Sequence, residues 1–188
     1  MKHFSIIVAT NIHGGIGKNG TIPWKEKDDM KFFRGMTTTT LDGNKINAVI
    51  MGRITFESLK QTPLKDRVNI VVTSNDNYVS SSHNNLFIAR SLDHALSQLE
   101  NMNNIERIFV IGGQRLYEEA IVHPRCQNVY LNKIGCYHEC DTFFPENKLK
   151  YYDLVAEKNL NRHILARMYT IHTNKNNKNN KNNKKIDL

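Results

Sequence analysis

The sequence predicts an α/β fold: a single domain with a central, mostly parallel, twisted β-sheet, flanking helices and an antiparallel C-terminal edge. As far as Val122, short β-branched runs alternate with helical patterns, which is typical of parallel strands joined by crossover helices. After Pro124 the runs are strand-like with no helix between them, and this favours an antiparallel edge. A chain of 188 residues is long enough to bury one substantial core.

Each element is predicted from its own pattern. Buried strands are expected where Ile, Val and Phe cluster, at residues 4–9, 46–51, 68–73, 86–89 and 107–111. Helices are expected at 25–36, 53–59, 91–100 and 113–122. The third helix is the best marked, because Ser91 is a favoured cap and the leucines after it form one apolar stripe. Later strands are expected at 128–134, 151–160 and 163–173.

The C-terminal segment differs in composition from the rest of the chain. Residues 174–188 are an Asn/Lys tract with almost nothing to bury, so we expect a disordered tail after a catalytic domain at 1–173. Five lysines and one aspartate give this tail half of the formal net charge of +8. The remaining charge suits an anionic small ligand, and nucleic acid is not expected as a partner.

Three further features concern location and metals. No run approaches the roughly 18 consecutive apolar residues of a membrane span, and the N-terminal apolar run is too short for a signal peptide. Three cysteines suggest no disulfide framework, so we expect a cytoplasmic protein. The segment CYHEC, residues 136–140, has no second ligand cluster to complete a tetrahedral site, so no metal is expected.

The stretch HGGIGKNGTIPW, residues 13–24, has the glycine spacing of a dinucleotide fingerprint and contains a Gly-Lys pair typical of phosphate loops. A dinucleotide fingerprint opens a helix, whereas Pro23 favours extended backbone before it. A phosphate loop needs Ser or Thr after Lys18, and Asn19 stands there. The stretch therefore predicts a flap at the carboxyl end of the first strand, where ligands bind in open α/β sheets.

Asp29 lies on the apolar face of the predicted helix 25–36. Phe32 and Phe33 follow at i+3 and i+4, so the carboxylate is at the centre of the apolar stripe. A carboxylate in that place is costly unless it has a partner. Two interpretations stay open: a solvated residue that complements the helix dipole, or a carboxylate that binds a ligand with paired N–H donors.

A second glycine turn occurs in FVIGGQRLYEEA, residues 109–120. Gly112 and Gly113 lie between a buried strand and a helix, where backbone can approach a ligand and free N–H groups face an anion. Arg115 in the first helical turn opposes the helix dipole, which makes sense if it faces phosphate. The combination predicts an anion-binding turn.

Nine segments, in this order, resemble the dihydrofolate reductase family over the chain from Phe4 to Thr173. They are IVA, GIGKNGTIPW, DMKFF, MTTTT, VIMGRITFESL, PLKDRVNIVVTS, ARSLDHAL, VIGGQRLYEEA and DTFFPE. The resemblance implies that the glycine-rich stretch is the mobile loop over the nicotinamide and that Trp24 lies beside the pterin. It also implies a cis peptide bond between Gly112 and Gly113.

The resemblance assigns roles to individual residues. Asp29 matches the acidic side chain that binds the pterin's N3 and 2-amino group, and Thr142 matches the threonine that hydrogen-bonds this carboxylate; with Trp24 they form the implied catalytic set. Arg67 matches the arginine that pairs with the α-carboxylate of folate. The implied substrate-binding residues are Ile7, Val8, Ala9, Asp29, Phe33, Ser58, Leu59, Arg67, Ile111 and Thr142. The implied NADPH-binding residues are Ala9, Ile16, Gly20, Gly52, Arg53, Thr55, Ser74, Arg90, Gly113, Arg115, Leu116 and Tyr117.

The implied reaction is NADPH-dependent reduction of 7,8-dihydrofolate to tetrahydrofolate, by hydride transfer to C6 and protonation at N5, for one-carbon and thymidylate metabolism. The resemblance places Asp29 too far from N5 to protonate it directly, so water is the expected proton carrier. Small molecules are the expected partners of a monomer, and functional association with a thymidylate synthase is compatible with the resemblance.

Two other classes of function fit parts of the sequence less well. A related-fold reductase of a riboflavin-pathway pyrimidine would keep the cofactor-side glycine turn, but it has no reason to show IPW followed by Asp29. A non-enzymatic RNA-binding protein is suggested by the lysine-rich tail, yet the rest of the chain lacks clustered basic residues interleaved with aromatics.

The tail yields the first testable prediction. Deleting residues 174–188 should leave turnover and melting temperature nearly unchanged, because the segment has almost no apolar content and matches no family motif. Steady-state kinetics and thermal unfolding of the full and shortened chains measure this. A several-fold loss of turnover would mean that the tail folds onto the site.

Overall fold

The computed structural model describes residues 1–78 and 83–172, so the predicted tail lies outside the described residues. The strands are β1 Phe4–Thr10, β2 Gly15–Gly17, β3 Ile46–Gly52, β4 Arg67–Val72, β5 Leu86–Ala89, β6 Ile105–Val110, β7 Cys126–Ile134, β8 Thr142–Phe143, β9 Tyr152–Asn161 and β10 Ile164–Ile171. The helices are α1 Lys27–Thr38, α2 Arg53–Ser58, α3 Leu92–Glu100 and α4 Gln114–Ala120, and a 3₁₀ helix spans Glu146–Tyr151.

Eight of these strands form one sheet in the order β5-β4-β3-β6-β1-β7-β10-β9. The pairs from β5 to β7 are all parallel, whereas β10 pairs with both β7 and β9 in the antiparallel sense. The predicted fold class is therefore confirmed: an α/β sheet that is mostly parallel, with an antiparallel C-terminal edge and flanking helices. Strands β2 and β8 pair separately as a short ribbon.

The central strands are apolar along nearly their whole length because helices cover both faces of the sheet. Side chains alternate between the two faces, so Ile6 and Val8 of β1 pack in one cluster and Ile7 in the other. The first cluster includes the buried stripe of α3 and the apolar side of α4. The second cluster includes Phe56 of α2 and the aromatic side of α1. Helices α3 and α4 therefore pack on one face of the sheet and helices α1 and α2 on the other.

The structure differs from the sequence expectation in three places. Helix α1 begins at Lys27 rather than at residue 25, because Glu26 has extended backbone and occupies the cap position. The ribbon of β2 and β8 was not predicted, since strands of three and two residues are too short to show a periodic pattern. No helix was expected after Pro124, but a 3₁₀ helix spans Glu146–Tyr151, and its six residues are likewise too few for a periodic pattern. The remaining elements lie within a few residues of the predicted bounds.

Among the helices of the described residues, none is long and apolar enough to cross a membrane.

The stripe of α3 yields the second prediction. Leu96 has no exposed surface and packs against the sheet, so Leu96→Ala should destabilise the protein by about 2–5 kcal/mol through lost burial and a residual cavity. Ser97→Ala, the neighbouring change on the exposed side of the same helix, should stay within about 0.5 kcal/mol. Urea unfolding at constant pH compares the two. Equal losses would contradict the assigned helical face.

Candidate active site

A cavity of about 910 Å³ opens at the carboxyl ends of the central parallel strands. Its walls come from β1, from the ends of β3, β4 and β6, from helices α1, α2 and α4, and from the glycine-rich loop after β1. In open α/β sheets this edge is where ligands bind, because helix N-termini and loops converge there. We refer to this cavity as the cleft.

The cleft brings together most of the residues that the resemblance implied. On the substrate side these are Ile7, Val8, Ala9, Asp29, Phe33, Ser58, Leu59, Ile111 and Thr142. On the cofactor side they are Ala9, Ile16, Gly20, Gly52, Arg53, Thr55, Ser74, Arg90, Gly113, Arg115, Leu116 and Tyr117. Trp24 and Arg67 do not line the cleft and lie next to it.

Trp24 and Arg67 are buried behind the cleft wall. Trp24 packs with Ile134 and Ile164, and its ring centroid is 5.6 Å from that of His138. The Arg67 guanidinium donates to the Thr37 hydroxyl at 2.8 Å and lies 5.9 Å from the centroid of Phe33, which does line the cleft. Burial lowers the pKa of Arg67, although the group stays far from neutral in any ordinary range of pH.

Asp29 is the acidic side chain at the substrate end of the cleft, and only 7% of it is exposed. Its Oδ1 accepts a hydrogen bond of 2.8 Å from Nδ2 of Asn132, which is on β7. Burial raises the pKa of Asp29, and the charge of Glu26 raises it further. The Asn132 hydrogen bond opposes this rise. The indole N–H of the buried Trp24 also lowers the pKa of Asp29, although the two groups do not meet normal hydrogen-bond geometry.

The expectation that Thr142 hydrogen-bonds to Asp29 differs from what the structure shows. Within residues 1–78 and 83–172, the side-chain donor to Asp29 is Asn132, and Thr142 makes no such bond. Thr142 belongs to β8 and pairs with Gly17 of β2, which holds it in the ribbon. Asn132 is on a central strand that passes beside α1, and its side chain therefore reaches the carboxylate.

The glycine-rich loop is fixed to residues 138–143 by several contacts. Lys18 pairs with Glu139 at 2.6 Å, and Asp141 accepts from the Asn19 backbone N–H at 2.8 Å. Two glycines are required by close packing in this region. A Cβ at Gly15 would lie 2.5 Å from the Cys140 sulfur, and one at Gly17 would lie 2.6 Å from the Thr142 hydroxyl. The spacing that suggested a nucleotide fingerprint thus serves loop packing.

The other glycine turn, at residues 112 and 113, also lines the cleft. The Gly112–Gly113 peptide bond is cis, as the resemblance implied. Gly52 donates its backbone N–H to the Gly112 carbonyl at 2.7 Å, which joins the ends of β3 and β6. The Tyr117 hydroxyl donates to the Ile7 carbonyl at 2.9 Å. Burial raises the pKa of Tyr117, with a further rise from Asp29, so this hydroxyl remains a neutral donor.

Three arginines provide positive charge at the cofactor end. Arg53 pairs with Glu57 at 2.8 Å within α2. Arg90 donates to the Asn75 carbonyl at 2.6 Å and pairs with Asp76 at 3.4 Å. Arg115 is exposed at the start of α4.

The cysteines and the histidine of the CYHEC segment do not form a metal centre in the described structure. Throughout residues 1–78 and 83–172, no group of three or more His, Cys, Asp or Glu side chains is arranged to hold a metal ion. Cys136 and Cys140 pack against the cluster around Trp24, and Cys126 is buried in the main core. Burial raises the pKa of Cys126 to about 11, which is typical of an inert thiol.

Sequence reasoning missed several residues of the cleft, and Asn132 matters most among them. A polar residue inside the apolar run YLNKI was the available signal, but an asparagine there also fits an edge position. Other residues that line the cleft and were not predicted include Met30, Thr73, Gln114 and Glu119.

Comparisons with known proteins agree with this geometry. Residues 3–177 match the family described as dihydrofolate reductase. The dihydrofolate reductase of Heliothis virescens is 39% identical over 159 residues, covering 83% of this chain and 86% of that protein. The one from Schistosoma mansoni is 42% identical over 163 residues, covering 80% and 83%. The bifunctional dihydrofolate reductase-thymidylate synthase of Daucus carota is 41% identical over 149 residues, covering 77% and 28%.

A solved structure has the same fold. Dihydrofolate reductase from Enterococcus faecalis, complexed with NADP(H) and RAB-propyl, superposes with a TM-score of 0.75 at 29% sequence identity. The match covers 91% of this chain and 97% of that one. The chain therefore belongs to the dihydrofolate reductase family and is an NADP-dependent oxidoreductase.

Proposed function

We propose that the cleft binds dihydrofolate at the end that contains Asp29 and binds NADPH at the end that contains the Gly112–Gly113 turn. The family reaction is the NADPH-dependent reduction of dihydrofolate to tetrahydrofolate. The observation that carries this assignment is the buried Asp29 carboxylate in a mostly apolar cleft. No observation favours the alternative of a riboflavin-pathway pyrimidine as substrate.

The cofactor end fits NADPH. The backbone of Gly52 and Gly113 is open to the cleft, and Arg53, Arg90 and Arg115 bring cations to the same end. Arginine matches phosphate well because its planar donors form paired hydrogen bonds. When bound, NADPH supplies the hydride that reduces the substrate; the residues named here hold and orient it.

Asp29 is the group that recognises the pterin. An ionised carboxylate is an acceptor with about four lone-pair positions, and the bond from Asn132 occupies one of them on Oδ1. The others accept from the N3 and 2-amino N–H groups of the substrate. This pairing compensates the carboxylate for its burial, and it orients the ring against Phe33 and Ile7 for reaction.

The glycine-rich loop and Arg67 complete the substrate end. The loop contributes Ile16 to Ile22 at the cleft mouth and shields the reacting atoms from solvent. Water carries the proton to N5, because Asp29 is committed to the opposite edge of the pterin. Arg67 pairs with the α-carboxylate beyond Phe33, where its position is fixed by Thr37.

We propose further that the enzyme acts as a cytoplasmic monomer with a catalytic domain at 1–173. The free thiols of Cys126, Cys136 and Cys140 suit a reducing compartment. A functional link to a thymidylate synthase is supported by relatives from carrot and Arabidopsis thaliana, which are named as bifunctional dihydrofolate reductase-thymidylate synthases.

The third prediction tests Asp29 by activity. Asp29→Asn should lower kcat/KM for dihydrofolate by at least 10²-fold near pH 7, a loss of roughly 2.7 kcal/mol, because an N–H donor replaces an acceptor opposite the pterin. Activity should partly recover in acid, where the substrate is protonated in solution, and NADPH affinity should hardly change. Asp28→Asn is the matched control, since Asp28 is exposed on α1 and does not line the cleft. If Asp29→Asn kept the wild-type kcat/KM, Asp29 would be only a solvated residue at the start of the helix and would have no role in substrate binding.

Asp29→Asn should lower activity but raise the stability of the ligand-free protein at pH 7. The folded pKa of Asp29 is raised above its unfolded value, so the folded state binds its proton more tightly. Stability contributed by the protonated group is therefore present below the unfolded pKa and is lost as pH rises to the folded pKa. Without ligands, Asp29→Asn should melt at a higher temperature than wild type at pH 7, and the gap should close in acid. Thermal unfolding across pH measures this, and a lower melting temperature at pH 7 would contradict it.

The fourth prediction concerns cofactor choice. NADPH should be preferred over NADH, and Arg90→Leu should lower kcat/KM for NADPH by about 10- to 100-fold with little change for NADH, since a charge-assisted bond contributes about 1.5–3 kcal/mol. Arg167→Leu is the control, because Arg167 pairs with Glu157 on strands away from the cleft. Steady-state kinetics with both cofactors give the ratio. Comparable wild-type kcat/KM values for the two cofactors would refute phosphate recognition by these arginines.

A further inference from the structure

The side-chain amide of Asn132 has a donor and an acceptor atom, and only the donor has a hydrogen-bond partner among the described residues. The side chain is 2% exposed and lines the cleft. Its Nδ2 donates to Asp29, while its Oδ1 is buried and has no hydrogen-bond partner among the described residues. Buried acceptors are nearly always satisfied in native proteins, so an unpaired one in a ligand cavity requires an explanation.

The orientation of this amide is determined by chemistry. An ionised carboxylate only accepts hydrogen bonds, so the amide atom that faces Asp29 has to be Nδ2. Oδ1 is then the acceptor that remains. The sheet offers it no donor side chain, because the residues paired with Asn132 are Ala9 on β1 and Ala166 on β10.

A second asparagine on the same strand has hydrogen-bond partners for both atoms of its amide. Asn128 precedes Asn132 by four residues, so both side chains are on the same face of β7. Nδ2 of Asn128 donates to the Ser5 hydroxyl, and its Oδ1 accepts from Thr170. Both amide ends of Asn128 are therefore used within the protein, in contrast to Asn132.

We propose that Asn132 is a specificity-determining residue whose Oδ1 accepts a hydrogen bond from the substrate's 2-amino group. The inference rests on the proposed function, in which the same amino group meets Asp29. An amino group carries two protons, so one is directed to the carboxylate and the other to the amide oxygen. Because Oδ1 is covered in the ligand-free cleft, substrate binding shifts the surrounding side chains to expose it.

The Asn132 amide therefore acts both on the ionisation of Asp29 and on recognition of the substrate's 2-amino group. Nδ2 stabilises the charged form of Asp29, while Oδ1 adds an acceptor that a hydrocarbon side chain would not supply. The other groups that shift the pKa of Asp29 are Glu26 before α1 and Trp24 in the loop, and the Asp29 charge in turn raises the pKa of Tyr117 on α4. Of these three, Trp24 is a donor only, Glu26 does not line the cleft, and the Tyr117 hydroxyl is directed to the Ile7 carbonyl.

The fifth prediction separates recognition from structural support. The probes are folate and its 2-desamino analogue, and binding is followed through the fluorescence of Trp24, the one tryptophan in the chain. Asn132→Thr keeps a hydroxyl donor for Asp29, but its single oxygen takes the place of Nδ2 beside the carboxylate and leaves no oxygen at the position of Oδ1. The affinity for folate should fall about 5- to 10-fold, and the affinity for the 2-desamino analogue should fall much less.

A second variant tests the donor end. Asn132→Leu removes both functions, so the pH dependence of folate binding should also move to higher pH as the pKa of Asp29 rises, whereas Asn132→Thr should retain the wild-type profile. Asn128→Thr is the matched control, and both affinities should stay at wild-type values. Folding of each variant is verified by its thermal unfolding curve.

The outcomes distinguish the inference from the function on which it rests. Equal losses for both probes in Asn132→Thr, or no loss for folate, would overturn the role of Oδ1 and leave the proposed function intact. Full activity in Asp29→Asn would instead overturn the proposed function. A lower preference for the 2-amino group in Asn132→Thr, together with inactivity of Asp29→Asn, supports both.

Discussion

Burial of the Asp29 carboxylate in an apolar cleft sets a requirement that each neighbouring element has to meet. An isolated buried charge is strongly unfavourable, so donors must be placed around it before a ligand arrives. Strand β7 supplies Asn132 at 2.8 Å, and helix α1 holds the carboxylate beside Phe33. The remaining acceptor positions face the cleft and are satisfied by a ligand. The same desolvation that raises the pKa of Asp29 thus makes paired N–H groups bind strongly there.

The cover of the cleft depends on contacts that are distant in sequence. Residues 13–24 are anchored on the segment after β7 by the Lys18–Glu139 pair, the Asp141 hydrogen bond and the ribbon of β2 and β8. Exposed ion pairs contribute only about 0–1 kcal/mol each. The ion pair therefore contributes little to holding this loop, and the two-stranded ribbon provides the rest of the anchor. Gly15 and Gly17 allow the two segments to pack closely, because a Cβ at either position would clash with Cys140 or Thr142.

Much of this arrangement was predictable from the sequence, and the exceptions have physical causes. The long apolar strands and the capped stripe of α3 gave reliable periodic signals, and the position of Asp29 among phenylalanines marked it as unusual. Asn132 was missed because its role depends on which helix passes over β7, and pairing across 103 residues has no local signature. Thr142 lines the cleft, but among the described residues Asn132 is the side-chain donor to Asp29, because the two-residue strand that positions Thr142 is too short to leave a periodic pattern in the sequence.

The charged groups at the proposed cofactor end differ from Asp29 at the substrate end, because they are already paired with other charged residues. Arg53 and Arg90 already have carboxylate partners, Glu57 and Asp76; the first pair is partly exposed to solvent and the second is more exposed. Such pairs contribute little, so in the proposed function a bound phosphate displaces or joins them at small cost and gains the stronger contact of a planar guanidinium with a multiply charged anion. The carboxylates also hold the two arginines in place before binding. Under this proposal, recognition uses a buried charge for the pterin and replaceable ion pairs for the phosphates.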